Sequence, residues 1–290
     1  MASMLVSKTN SPHNNNNSIK YHIDCKARIT PDNPDTRDWL EITEQFDHDS
    51  PDYKVFRTIL DKEKEVVAKL GPAKIREEYS IGAALNTLRL PTFLNYYCIF
   101  DCLDDFKSLN KARRFFCKES GKPIHVLIMP YLKDGQIDKW SWKRSNFNQL
   151  KNMLKHITIS MLFAAKHIGF THRDAHLGNI MVKHTRRAGI TYGDLGMIEL
   201  QGMMPVIMDY DRSIVNPELF WLVYDDLKRV FGLISTETDI QMTTLSIQRS
   251  LLKMFTAKAP ITDRVVEQLF KEIDELEILY VKTEVMRSMS

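Results

Sequence analysis

The hydrophobic pattern of this chain changes once, near Gly135, and that change constrains the fold more than any other feature. Before it, short runs rich in β-branched and aromatic residues alternate with polar turns, as in DWLEITEQF, KVFRTIL and EVVAKLG. After it, apolar residues recur at three- and four-residue steps over long segments. The first pattern is typical of antiparallel strands and the second of amphipathic helices. The sequence therefore predicts an α+β protein with a β-rich first part and an α-rich second part.

This pattern divides the chain into three segments. Residues 1–35 carry an asparagine run and are predicted to be a disordered leader. Residues 36–132 form the predicted β-rich lobe, and residues 133–290 form the predicted α-rich lobe. A length of 290 residues fits two lobes, because a single hydrophobic core stops growing at about 250–300 residues.

One helix is predicted inside the β-rich lobe. Pro72 stands where a first helical position belongs, ahead of KIREEYSIGAALNTL. The apolar face of this helix is predicted to hold Ile75, Tyr79, Ala83 and Leu85 or Leu88. The runs YYCIF and IHVLIMPYL predict two further strands after it.

The α-rich lobe is predicted to contain long helices. Apolar residues recur at helical steps over 150–168, and Gly169 stands where a C-terminal helix cap belongs. Asn216 and Pro217 are the predicted N-cap and first residue of another helix. From about Thr238 to the end, the pattern predicts helix.

Composition excludes several classes of protein. The chain has 40 basic and 37 acidic side chains, which gives no electrostatic footprint for nucleic acid or a membrane surface. Its most apolar stretch, ITISMLFAA, is far shorter than the roughly 20 residues of a membrane span. The cysteines lack zinc-site spacing and are predicted to be reduced thiols of an intracellular, cytoplasmic protein. They are Cys25, Cys98, Cys102 and Cys117.

The segment HRDAHLGNIMV, from His172 to Val182, carries the most specific chemical signal. It resembles the catalytic loop of protein-kinase-like proteins in its H-x-D-x-H-x-x-N form, and Asp209-Tyr210-Asp211 occupies the place of the metal-binding D-F-G triplet. The resemblance implies a bilobal protein-kinase-like fold. It also implies that Asp174 is the catalytic base, and that Asn179 and Asp209 hold Mg²⁺ against the phosphates of ATP.

A kinase of this kind also needs a lysine on its third strand and a glutamate on the following helix. Lys69 in VVAKLG fits the lysine that contacts the phosphates, and Val67, two residues earlier on the same face, could cover the adenine. The partner is Glu77 or Glu78. Glu78 is preferred because EYSIGAALNTLRLPTF resembles the helix-C stretch of kinases from large DNA viruses.

The resemblance also assigns a hinge and an anchor. Met129 takes the gatekeeper position, and backbone groups near Tyr131 and Leu132 are expected to face the adenine. In YDDLKRVFG, Asp226 resembles the aspartate that anchors the catalytic-loop backbone, with Asp225 as the alternative.

Two departures bear on the branch of the fold. His176 replaces the usual lysine two residues after the catalytic aspartate, as in haspin-like kinases and in aminoglycoside and choline kinases. An insert, ITYGDLGMIELQG, and the tyrosine at position 210 favour the haspin-like branch. The loop DHDSPD replaces the usual glycine-rich loop, and no glycine precedes Gly71, so its aspartates would repel phosphates if they pointed inward.

The sequence therefore predicts an ATP- and Mg²⁺-dependent serine/threonine protein kinase with a protein substrate. It is expected to act as a monomer, in the cytoplasm or, if viral, in the virion. Two alternatives remain open: a small-molecule phosphotransferase, and a catalytically inactive binding module with the same fold.

Overall fold

The structure is a computed structural model that describes residues 39–46, 53–103, 123–193, 196–238 and 240–281. The predicted leader, the loop DHDSPD, Cys25 and Cys117 lie outside these ranges. Within them, the class predicted from the sequence is confirmed, because a five-stranded sheet is followed by a mainly helical region. None of the helices in these ranges is long and apolar enough to cross a membrane.

The first part of the chain forms an antiparallel sheet. The strands are β1 (Leu40–Phe46), β2 (Lys54–Leu60), β3 (Lys64–Gly71), β4 (Cys98–Leu103) and β5 (Pro123–Pro130). They lie in the order β1-β2-β3-β5-β4, so the three predicted meander strands are neighbours. Asp61 and Lys62, both with positive φ, make the tight turn between β2 and β3.

Strand β3 sends alternate side chains to two different cores. Val66, Ala68 and Leu70 pack into a core cluster formed by the residues on one face of the sheet together with Trp39. Val67 packs instead against the core that continues into the helical part of the protein. Lys69 therefore shares the face of Val67, as the period-two pattern predicts, and this face looks toward the helical part.

Helix α1 (Lys74–Asn86) follows β3, and its predicted buried face is confirmed at Ile75 and Leu85 but is wrong at Ala83. The face that packs inward consists of Ile75, Glu78, Gly82 and Leu85. Tyr79 is only partly buried and Ala83 is exposed. The helix is rotated because the ring of Tyr96 lies directly on Gly82, where a side chain would not fit, and because Glu78 has partners inside the protein.

Helices dominate the second part, joined by short strand pairs. The helices are α2 (Phe147–Ile168), α3 (Val223–Glu237), α4 (Leu245–Thr256) and α5 (Asp263–Asp274), with 3-10 turns at Arg144–Asn146, Leu177–Asn179 and Pro217–Leu222. The strands are β6 (Phe170–Thr171), β7 (Ile180–His184), β8 (Gly189–Thr191), β9 (Met197–Glu199), β10 (Met203–Ile207), β11 (Ile214–Val215), β12 (Ile240–Met242) and β13 (Ile278–Val281). These strands pair antiparallel as β6 with β11, β7 with β10, β8 with β9, and β12 with β13.

The sequence prediction for the C-terminal segment is wrong in part. The C-terminal segment was expected to be helical, whereas Ile278–Val281 is a strand paired with Ile240–Met242. Its β-branched and aromatic residues favour a strand, and the pairing satisfies its backbone groups.

The prediction that the cysteines are reduced is wrong for two of them, because Cys98 and Cys102 are disulfide-bonded. They lie about 13 Å apart on one strand, so they are not bonded to each other.

Gly169 ends helix α2 in the left-handed conformation, at φ 68°, and gives a first testable prediction. An added Cβ would overlap the backbone of Asn216 and Pro217. We expect Gly169→Ala to lower the free energy of unfolding by more than the roughly 1–2 kcal/mol of backbone strain alone. Gly202→Ala is the matched control, because Gly202 has φ 79° but open space around it. Equal losses in urea unfolding would contradict the steric argument.

Candidate active site

The catalytic-loop sequence runs between β6 and β7 and is held by a buried carboxylate from α3. Oδ2 of Asp226 accepts a hydrogen bond of 2.8 Å from the backbone N–H of His172. Burial raises the pKa of Asp226. Asp225 is exposed and pairs with Lys228 at 3.7 Å. Of the two aspartates left open by the sequence, Asp226 is therefore the one that contacts the loop.

His172 ties this loop to the segment that carries Asp209. Its Nε2 lies 2.9 Å from the carbonyl oxygen of Met208. The N–H of Met208 donates to the carbonyl oxygen of Asn179 at 3.0 Å. Arg173 and Asp209 both have positive φ, at 62° and 63°. Such backbone conformations are uncommon for residues other than glycine and cluster at functional sites.

Asp209 is also positioned by hydrogen bonds between β10 and the segment that follows α1. Strand β10, which precedes it, is hydrogen-bonded to the segment after α1, since the N–H of Ile207 donates to Thr92 at 2.8 Å and Ile207 accepts from Leu94 at 2.9 Å. The buried hydroxyl of Tyr210 donates to the carbonyl oxygen of Ile207 at 2.8 Å. These bonds bring Asp209 beneath β3 and α1.

Lys69 joins the sheet to this second segment. Its Nζ lies 2.9 Å from Oε2 of Glu78 and 2.6 Å from Oδ1 of Asp209. The hydroxyl of Tyr96 donates to the other oxygen of Glu78 at 2.7 Å. Glu77 is exposed. Glu78 is therefore the glutamate that lies against Lys69. The same ammonium group contacts Asp209, which lies 140 positions after Lys69 in the chain.

The charges of this group stabilise one another in a buried setting. Burial alone would lower the pKa of Lys69, but the carboxylates of Glu78 and Asp209 outweigh it and raise that pKa above its ordinary value. Burial raises the pKa of Glu78, against the opposing effect of Lys69. Lys69 is thus a cation held between two carboxylates.

Asp174 lies on the loop with its carboxylate partly accessible. The side-chain amide of Asn179 donates to the carbonyl oxygen of Asp174 at 3.1 Å, which fixes the turn between them. Arg229 and Arg212 lie 3.3 Å and 3.6 Å from the two carboxylate oxygens. Nε2 of His176 is 4.0 Å from the same group.

Sequence reasoning missed these two arginines. Arg229 stands three residues after Asp226 on α3, so the helix face that reaches the loop with Asp226 also carries Arg229. That spacing was a usable signal. For Arg212 there was no comparable signal, because its position depends on how the chain turns after Asp211.

The predicted adenine-facing residues lie around the end of β5. Met129 stands opposite Val67 in the register of β3 and β5 and is buried, while Val67 is half-buried. Tyr131 and Leu132 follow the strand. The ring of Tyr131 stacks on Phe46, with centroids 6.3 Å apart. The register brings Val67 and Met129 side by side on neighbouring strands, two residues from Lys69.

Asn179 and Asp209 provide the donor types that Mg²⁺ prefers, an amide oxygen and a carboxylate. The described residues contain no group of three or more His, Cys, Asp or Glu side chains placed to hold a metal by themselves. Magnesium in nucleotide sites is commonly held by one or two side chains together with phosphates and water. The residues present fit a metal of that kind.

Together, the sheet, the helices and the loop define a protein-kinase-like fold. Residues 121–211 match the ABC1 atypical kinase-like domain, a range that contains Met129, Asp174, Asn179 and Asp209. The serine/threonine-protein kinase haspin of Mus musculus is 28% identical over 146 residues, which are 49% of this chain and 19% of haspin. The chain thus spans about a fifth of that relative. Fold and matches support phosphotransferase activity in general.

Proposed function

We propose that the protein is an ATP- and Mg²⁺-dependent kinase that transfers the γ-phosphoryl group to a serine or threonine hydroxyl of a protein. The observation that carries this proposal is the ion-pair group of Lys69, Glu78 and Asp209, connected through Met208 to the loop of Asp174 and Asn179. Lys69 and Glu78 come from β3 and α1, and Asp209 follows β10. A purely structural role would not require this combination beside a loop whose backbone is hydrogen-bonded to Asp226.

Each side chain has a separate task in the proposed reaction. Asp174 accepts the proton of the acceptor hydroxyl as its oxygen forms a bond to phosphorus and the bond to the ADP oxygen breaks. Lys69, oriented by Glu78, contacts the phosphates. Asn179 and Asp209 would hold Mg²⁺, which neutralises the charge that develops on the phosphates.

The nucleotide base is proposed to lie between the sheet and the helical part. Val67 presents an apolar, half-buried side chain on the face of Lys69. Met129 lies opposite Val67 on the neighbouring strand β5. Backbone groups near Tyr131 and Leu132 supply the polar contacts of the adenine. This placement puts the base beside Val67 and the phosphates beside Lys69, two residues apart on one face of β3.

Transfer from labelled ATP to a mixed protein substrate tests the proposal. We expect Mg²⁺-dependent label on serine or threonine, lost in Asp209→Ala because the metal loses its carboxylate ligand. Lys62→Ala is the control, since Lys62 lies in an exposed turn. Transfer that persists in Asp209→Ala would overturn the assignment.

Two other outcomes of the same experiment identify the alternatives. Label found on an added aminoglycoside or choline, but not on protein, would indicate a small-molecule phosphotransferase, a class that shares His176 with haspin-like kinases by resemblance. Binding without any transfer would indicate an inactive module. In that case Mg-ATP at about 100 times its dissociation constant still stabilises the fold by about 2.7 kcal/mol in a thermal-shift measurement.

A further inference from the structure

Two arginines flank the carboxylate of Asp174. Nη1 of Arg229 lies 3.3 Å from Oδ1, and Nε of Arg212 lies 3.6 Å from Oδ2. They come from different elements, since Arg229 is on α3 and Arg212 follows the segment of Asp209. Their side chains are 51% and 63% exposed. Two cations from separate parts of the chain therefore converge on the proposed catalytic base.

Stability does not explain this arrangement. Although Asp174 is only 15% exposed, both guanidinium groups are largely exposed, so water screens their charges, two long side chains must be ordered, and the pairs contribute little. Two guanidinium groups also exceed the single charge of one carboxylate. Each guanidinium has five N–H donors, and Asp174 engages only a small part of them. The remaining donors face solvent beside the position where the acceptor hydroxyl must enter.

Neighbouring carboxylates have other partners. Asp225 pairs with Lys228 at 3.7 Å, and Asp211 with Lys74 at 3.4 Å. Asp226 is buried against the backbone of His172. Arg212 and Arg229 therefore keep an excess positive charge next to Asp174.

We propose that Arg212 and Arg229 bind an anionic side chain next to the acceptor residue, so that the enzyme phosphorylates acidic sequences of its protein substrate. The planar fork of a guanidinium matches a carboxylate or a phosphate. An aspartate, a glutamate or a phosphorylated residue in the substrate would thus take up the donors that Asp174 leaves unused. This inference rests on the proposed function.

Peptides that differ at one flanking position test it. Four peptides carry the same acceptor serine, with glutamate, phosphoserine, glutamine or lysine beside it, and kcat/KM is measured for each. We expect the glutamate or the phosphoserine peptide to exceed the glutamine peptide about tenfold, the size of a charge-assisted hydrogen bond at a partly exposed site. Either preference supports the inference, and their ratio distinguishes carboxylate from phosphate.

The variants show which residues produce the preference. Arg229→Gln and Arg212→Gln should each reduce the ratio of the anionic to the neutral peptide several-fold, and Arg229→Glu should shift the preference toward the lysine peptide. Lys228→Gln is the matched control, because Lys228 adjoins Arg229 on α3 but pairs with Asp225. Its ratio should equal that of the wild-type protein.

The possible failures are distinguishable. Transfer to all four peptides at equal kcat/KM would overturn this inference and leave the proposed function standing. The same holds if the arginine variants lower kcat for every peptide without changing the ratio, because the arginines would then act only on Asp174. Transfer to no peptide and to no protein would overturn the proposed function itself, and the inference with it.

Discussion

Asp174→Asn should lower kcat for phosphoryl transfer by about 10²–10⁴-fold, the usual contribution of a general base. Asparagine keeps the shape of the side chain and one acceptor oxygen, but it takes up no proton from the incoming hydroxyl. The loop itself should stay in place, because it is held through the backbone of His172 and through the amide of Asn179 rather than through the Asp174 carboxylate. Single-turnover transfer from labelled ATP measures the chemical step directly.

Binding of Mg-ATP separates this effect from a damaged site. Its dissociation constant in Asp174→Asn should stay near the wild-type value, because Lys69 and Asp209, not Asp174, are proposed to contact the nucleotide and its metal. Asp225→Asn is the matched control: it makes the same chemical change on an exposed carboxylate that pairs with Lys228. A wild-type kcat in Asp174→Asn would remove Asp174 as the base.

The site residues whose proximity could be read from the sequence are those that are close together in the chain. His172, Asp174 and Asn179 fall within eight positions, so one motif carries their spacing. Gly169 could be assigned for the same reason, since a helix and its cap are contiguous. Their roles in catalysis remain proposals for the experiments above.

The sequence narrowed the partner of Lys69 to Glu77 or Glu78, and only the resemblance to viral kinases favoured Glu78. Helical periodicity of the apolar residues favoured a face through Tyr79 and Ala83 and did not choose between the two glutamates. The actual rotation is set by the ring of Tyr96 against Gly82, a contact made by a residue outside the helix. Local periodicity contains no information about such a contact.

Other errors share this origin. The strand Ile278–Val281 depends on pairing with Ile240–Met242, almost 40 residues earlier, and the disulfides of Cys98 and Cys102 likewise depend on the tertiary fold. An amphipathic pattern near the end of a helix resembles the start of a short strand when its partner is unknown. Non-local partners therefore account for what the sequence did not reveal.

Lys69→Met should destabilise the protein by about 3–5 kcal/mol at pH 8, the usual cost of removing one partner from a buried ion pair. Methionine retains the apolar stem but removes the ammonium partner of Glu78, whose side chain is 1% exposed and otherwise accepts a hydrogen bond from the hydroxyl of Tyr96. Lys74→Met is the matched control, because Lys74 is exposed and pairs with Asp211 at 3.4 Å. Its loss should stay below about 1 kcal/mol.

The pH dependence of the Lys69→Met loss identifies its cause. Burial already raises the pKa of Glu78, and removal of Lys69 raises it further. The folded variant then binds a proton that the unfolded chain releases above about pH 4.3, so its stability rises as pH falls through the raised pKa. In the wild-type protein, Lys69 stays charged at neutral pH because its own pKa is raised. Its contribution to stability is therefore lost only in strongly alkaline solution.

Urea unfolding at pH 5.5 and pH 8 therefore distinguishes a buried charge from lost packing. We expect the loss of stability in Lys69→Met to be smaller at pH 5.5 than at pH 8. The double variant Lys69→Met with Glu78→Gln should recover part of the lost stability. Its loss should be the same at both pH values. An equal loss at both pH values, unchanged in the double variant, would show that Lys69 stabilises the fold through its aliphatic stem. The ion pair between β3 and α1 would then have no measurable part in joining the sheet to the helix.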